Sequence, residues 1–273
     1  MVNFSAKKLS NSVTRIFGIV GEQMYLVEGK EKAALIDSGS GAGDLREFMS
    51  SLTDKPIIVL ITHGHVDHAI GAPQFDEAYM SSLDHEIYKE HCTTQMKKWY
   101  LSSSPFFSEV TDEDYIPAWP AEEFFELNDG DIFDLGGISI RAYSCAGHSP
   151  GCMMMLIQEE RTLIAGDACA FFTMLQSESC LSLSAYEQNL LHLKEQTHGK
   201  YDRIYASHGR IDPPKTLIDE VLDICLDIKE GRDDKISYEI LGTGGRIAKA
   251  IGRGFIRTDG GYGNIFYNPE RIF

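Results

Sequence analysis

Four apolar, strand-like runs in this chain each end on a residue type that binds metal ions. IIVLI (57–61) ends in Thr62-His63, ISIRAYS (138–144) leads to His148, TLIAG (162–166) ends in Asp167, and RIYAS (203–207) ends in His208. In layered α/β folds ligands gather in the crevice outside the carboxyl ends of strands, so such runs can converge on one site. The surrounding pattern agrees. Residues 13–20, 23–28 and 33–37 read as short strands of a meander, with Gly21 and Gly29 as turn punctuation. Leu45, Phe48, Met49 and Leu52 recur at helical spacing before Pro56 and the run 57–61, which makes a strand–helix–strand unit and an α/β class.

The densest chemistry follows the first run. Thr62-His63-Gly64-His65-Val66-Asp67-His68 places three imidazoles and a carboxylate within six residues. Such clustering is costly without a metal, because buried polar groups need partners and neighbouring imidazolium charges repel. His63 and His65, two apart in an extended turn, can point one way, while Asp67 and His68 turn toward a second position. Imidazole and carboxylate suit zinc, iron or manganese, and zinc is the first expectation by base rate.

THGHVDH matches the HxHxDH signature of metallo-β-lactamase-fold hydrolases. The pieces Gly147-His148-Ser149-Pro150-Gly151, Gly166-Asp167 and Ser207-His208-Gly209 are similar to that family's remaining metal motifs, in the same order. The match runs from about Asp37 to Gly209. This resemblance implies an αββα sandwich of two mixed β-sheets flanked by helices. It also implies two divalent metals: His63, His65 and His148 hold the first, Asp67, His68 and His208 the second, and Asp167 bridges them. Asp37, in Leu35-Ile36-Asp37-Ser38-Gly39, matches the family's early aspartate, which orients a ligand histidine; a strand-terminal turn is the alternative. Cys145 and Cys169 lie near these motifs and read as small core residues. His85, His91, His192 and His198, in polar helix-like stretches, read as solvated.

Composition narrows the function. With 273 residues, 43% hydrophobic and 24% charged, the chain is expected to fold throughout as one domain, 1–273. No apolar run approaches the roughly 20 residues of a membrane span, and MVNFSAKKLSNSVTRIF lacks the apolar core of a secretion signal. Six cysteines without a CxxC pair read as reduced thiols, so a cytoplasmic location is expected. A formal net charge of −16 disfavours nucleic acid as a partner.

The resemblance implies hydrolysis of an ester, thioester, lactone or related acyl bond of a small, in some cases anionic, substrate, by a metal-bridging hydroxide. Asp67 is the candidate for orienting it and moving a proton. Phosphodiester hydrolysis and an iron-dependent oxidoreductase of the same fold, similar to persulfide dioxygenases, are the alternatives.

Two segments stand apart. Residues 93–125 carry Trp99, Tyr100, Phe106, Phe107, Tyr115, Trp119 and Phe124, and read as a self-packed excursion, a lid or a homodimer contact. Gly231 to Arg257 has six basic residues against three acidic ones. If 245–252 is helical, Arg246, Lys249 and Arg253 form a basic stripe, either a solvated face or a recognition surface for a substrate anion like that of glyoxalase II enzymes.

Overall fold

Alternating and fully apolar runs become strands almost where their patterns place them. The computed structural model describes residues 4–209, 211–240 and 242–273. The opening residues of the N-terminal stretch, 1–3, lie outside the described residues. The chain divides into two compact units, Met1–Ala142 with Ile157–Glu160, and Tyr143–Leu156 with Arg161–Phe273.

The first unit is built on a seven-stranded mixed sheet in chain order: β1 (Ser5–Lys8), β2 (Val13–Phe17), β3 (Gln23–Glu28), β4 (Ala33–Ile36), β5 (Ile57–Leu60), β6 (Ala78–Met80) and β7 (Phe125–Glu126). β1 to β4 pair antiparallel and β4 to β7 parallel. Parallel neighbours need crossovers, and helix α1 (Leu45–Ser50) supplies the one between β4 and β5. Its N-cap Asp44 accepts the Glu47 N–H at 2.7 Å, while Leu45 and Met49 are buried. The crossover from β6 to β7 carries α2 (His85–His91), α3 (Thr94–Leu101) and the aromatic segment. That segment is packed within its own unit: Met96, Tyr100 and Trp119 lie against the core of Leu26, Leu35 and Val59, while Trp99 and Phe106 face solvent. Strand β8 (Ile132–Asp134) pairs antiparallel with β9 (Ser139–Ser144).

In the second unit, β10 (Met153–Ile157), β11 (Thr162–Ile164) and β13 (Arg203–Tyr205) lie in the order β13-β11-β10, with β11 and β13 parallel. A further sheet runs β12 (Thr173–Leu175), β16 (Ile265–Tyr267), β15 (Thr243–Ile247), β14 (Ile236–Ile240). Helices α4 (Leu183–Thr197) and α5 (Leu217–Lys229) bury their apolar faces with Leu163 and Ile204 in one core. Leu217, Val221, Ile224, Cys225 and Ile228 recur on α5 at the helical period that such burial requires. Among the described residues no helix is long and apolar enough to cross a membrane.

The C-terminal basic segment corrects one expectation. Residues 245–252 are not helical. Gly245 lies in β15 against β16, where an added Cβ would meet the Phe266 ring at 2.7 Å and the Tyr267 carbonyl at 2.8 Å. Glycines at 242, 244 and 245 favour a hairpin over a helix, so no basic stripe forms. Lys249 and Arg232 both reach Asp227, at 2.7 and 2.9 Å, and Arg257 reaches Asp259 at 2.5 Å.

Leu190, fully buried in α4, tests the second core. Leu190→Ala is expected to lower the unfolding free energy by about 2–5 kcal/mol in urea denaturation, whereas Leu191→Ala, at an exposed position of the same helix, should stay within about 0.5 kcal/mol.

Candidate metal centre

Three adjacent parallel strands of the first unit deliver its polar cluster. Asp37 follows β4, Thr62 to His68 follow β5, and Asp84 lies just beyond β6. Asp37 has φ +61°, a conformation that a short polar side chain tolerates. Its carboxylate, 1% exposed, accepts the Thr62 N–H at 2.7 Å and the Thr62 hydroxyl at 2.9 Å, and lies 2.8 Å from His68 Nδ1. That bond places a proton on Nδ1 and leaves Nε2 of His68 as the ligand-type nitrogen. Ser38 holds the same residue from its main chain, through its N–H at 2.7 Å and its hydroxyl at 2.8 Å to the His68 carbonyl.

The imidazoles gather tightly around this anchor. Ring centroids of His63 and His68 are 3.9 Å apart, and those of His63 and His65 are 4.7 Å apart. Asp67 Oδ2 lies 3.6 Å from His68 Nε2. Asp67 and His65 are part-exposed, while His63 and His68 are buried, so the cluster has a dry side and a wet side.

The second unit assembles its own set. Asp167 follows β11 and His208 follows β13, both at carboxyl ends of neighbouring parallel strands. Asp167 Oδ2 stands 3.9 Å from His148 Nε2 and 3.5 Å from His208 Nε2. His148 donates from Nδ1 to the Met174 carbonyl of β12 at 2.8 Å, which again turns Nε2 outward. Gly147 runs against the Tyr186 ring, and the Tyr186 hydroxyl donates to the Ala168 carbonyl at 2.8 Å, bracing the segments around His148 and Asp167 on α4.

All seven ligand candidates thus sit in polar clusters: His63, His65, Asp67 and His68 in one unit, and His148, Asp167 and His208 in the other. Asp37 orients a histidine, which decides between its two sequence readings. Cys145 and Cys169 are core residues, and burial pushes the Cys145 thiol up to about 12 and that of Cys169 well above its ordinary value. His192 and His198 are exposed, as expected. His91 is not simply solvated: half-buried, it accepts the Val66 N–H on Nδ1 at 3.1 Å. Asp84 was not legible in sequence either; wholly buried, it accepts the Gly64 N–H at 2.8 Å. An aspartate some twenty positions from the motif carries no local signal of that bond.

The sequence model of the metallo-beta-lactamase superfamily matches residues 18–208. The chain belongs to this superfamily. Relatives of the superfamily member include the acyl-coenzyme A thioesterase MBLAC2 of Homo sapiens, 27% identical over 53% of this chain and 57% of that protein. Another is the atrochrysone carboxyl ACP thioesterase of Aspergillus fumigatus, 27% identical over 58% of this chain and 45% of that protein. The chain spans about half the length of these curated relatives. A metallo-beta-lactamase from Pontibacter korlensis has the same fold, with a TM-score of 0.58 at 17% identity over 81% of this chain and 98% of that one. A sec-alkyl sulfatase variant, matched over 84% of this chain and 42% of its own, reaches 0.66 at 13% identity. The α/β class of mixed sheets with flanking helices is therefore the metallo-β-lactamase fold.

This superfamily fold implies divalent metal binding, and the donor set fits. Imidazole and carboxylate donors cluster in each unit, and His68 and His148 have their Nδ1 atoms committed to acceptors, as ligand histidines do. Asp37→Asn should therefore weaken divalent-metal retention by about 10–100-fold in chelator competition while the far-ultraviolet circular dichroism stays that of the parent protein.

Proposed function

We propose that this superfamily member is a metal-dependent hydrolase of acyl thioesters, with two divalent metals, zinc first, held by His63, His65, Asp67, His68, His148, Asp167 and His208. The observation that carries the reading is the imidazole–carboxylate cluster at the end of β5, with His68 fixed by Asp37. The partition of ligands rests on the resemblance: His63, His65 and His148 for one metal, Asp67, His68 and His208 for the other, Asp167 for both. The names of the thioesterase relatives support the choice of bond.

When bound, divalent metals make hydroxide available near neutral pH and polarise the acyl oxygen. The chain's own residues do the rest. His68 is kept in one tautomer by Asp37. To Asp67, whose part-exposed carboxylate lies 3.6 Å from His68 Nε2, we assign the orienting of the hydroxide and the moving of a proton toward the leaving thiolate. No protein nucleophile is needed. Ser149 is fully buried and its hydroxyl donates to Cys152 Sγ at 3.2 Å, which is not the setting of an activated serine.

The test is a substrate panel of acyl thioesters, esters, lactones and phosphodiesters with an oxygen-consumption control. Thioesters should turn over fastest, and phosphodiester turnover or oxygen uptake in their place overturns the reading. Asp67→Asn is expected to lower kcat by about 10²–10⁴-fold, and normal turnover removes Asp67 from proton transfer. Metal analysis of saturated protein should give close to two ions per chain, because seven ligands exceed what one tetrahedral zinc uses. A saturated value of one rejects the dinuclear assignment.

A further inference from the structure

The ring of His65, a ligand candidate of the first unit, is flanked by a histidine outside the motif. The His91 ring stacks on it with centroids 4.7 Å apart and planes 27° from parallel, while the His63 ring meets it edge-on at 83°. His91 is the last residue of α2, and the residue before that helix is Asp84. The two ends of this short helix hold alternate main-chain N–H groups of one turn: Asp84 Oδ2 takes that of Gly64, and His91 Nδ1 takes that of Val66. His65 lies between them. Gly64 lies so close to the first turn of α2 that a Cβ there would approach the Asp84 carbonyl at 2.8 Å and the Tyr88 nitrogen at 3.2 Å.

We infer that α2 is a clamp for the His65 ligand, with His91 as its positioning residue. Accepting the Val66 N–H on Nδ1 fixes the rotation of the His91 ring, and the fixed ring limits His65 to rotations that keep the stack. The His91 side chain thus sets the main chain of the turn and the plane of a ligand ring together. This rests on the reading of His65 as a metal ligand, and on no property of the substrate.

The test uses the full-length chain stripped of metal, titrated with Co²⁺ and with Zn²⁺ against a chelator, with His65→Ala as control. His91→Ala should weaken the metal site that takes His65 by about 10–100-fold and alter the visible absorption of the Co²⁺ form. His91→Phe keeps a stacking ring without the acceptor; His91→Asn keeps an acceptor near the Nδ1 position without the ring. Each should recover part of the loss, and the order of affinities should not follow the order of Tm values of the metal-free variants. The clamp is overturned if His91→Ala binds both metals as the parent does, or if affinity merely tracks metal-free Tm across the three variants. Loss of metal in His65→Ala with none in His91→Ala sinks the clamp alone. No loss in His65→Ala removes the ligand and the clamp together.

Discussion

The buried carboxylate of Asp37 organises the first unit's polar face. A charge taken out of water costs several kcal/mol unless donors replace the lost hydration. Here the Thr62 N–H, the Thr62 hydroxyl and His68 Nδ1 do so. The requirement joins the end of β4 to Thr62 at the end of β5 and to His68, six residues further on. Ser38 completes the grip by taking the His68 carbonyl. Side chain and main chain of one residue are therefore both set by two consecutive residues of a neighbouring strand end.

The second unit solves the same problem with a neutral partner. His148 leans on the carbonyl of Met174, which belongs to β12, a strand anchored by parallel pairing with β16 near the C-terminus. A carboxylate backing strengthens an imidazole donor more than a carbonyl does, so His68 and His148 would not be equivalent as donors to a metal.

Much of this was readable in the sequence where chemistry and periodicity coincided. The runs at 57–61, 162–166 and 203–207 gave strands β5, β11 and β13 because their apolar residues had no other use than burial, and the residues after them proved to be clustered His and Asp. The resemblance carried the same seven positions. What escaped depended on partners distant in the chain. β12 and β16 are three residues each and are strands through their pairing with each other, which no local pattern reveals. Residues 245–252 admit a helical reading because Ile247 and Ile251 sit at i and i+4, yet the glycines at 242, 244 and 245 and the close approach of Phe266 put 243–247 in strand β15. His91 looked like one more polar histidine of a charged helix, and only the path of the 64–66 turn shows what its ring nitrogen receives.

The bonds that aim the candidate ligand residues have a shared property: each is made inside one unit, across an intermediate length of chain. Thr62 and Asp37 are 25 positions apart, His68 and Asp37 31, Gly64 and Asp84 20, Val66 and His91 25, and His148 and Met174 26. Closing loops of this size costs little more entropy than closing much shorter ones. Each half of the candidate ligand set is thus arranged within its own unit, by partners no more than 31 positions away.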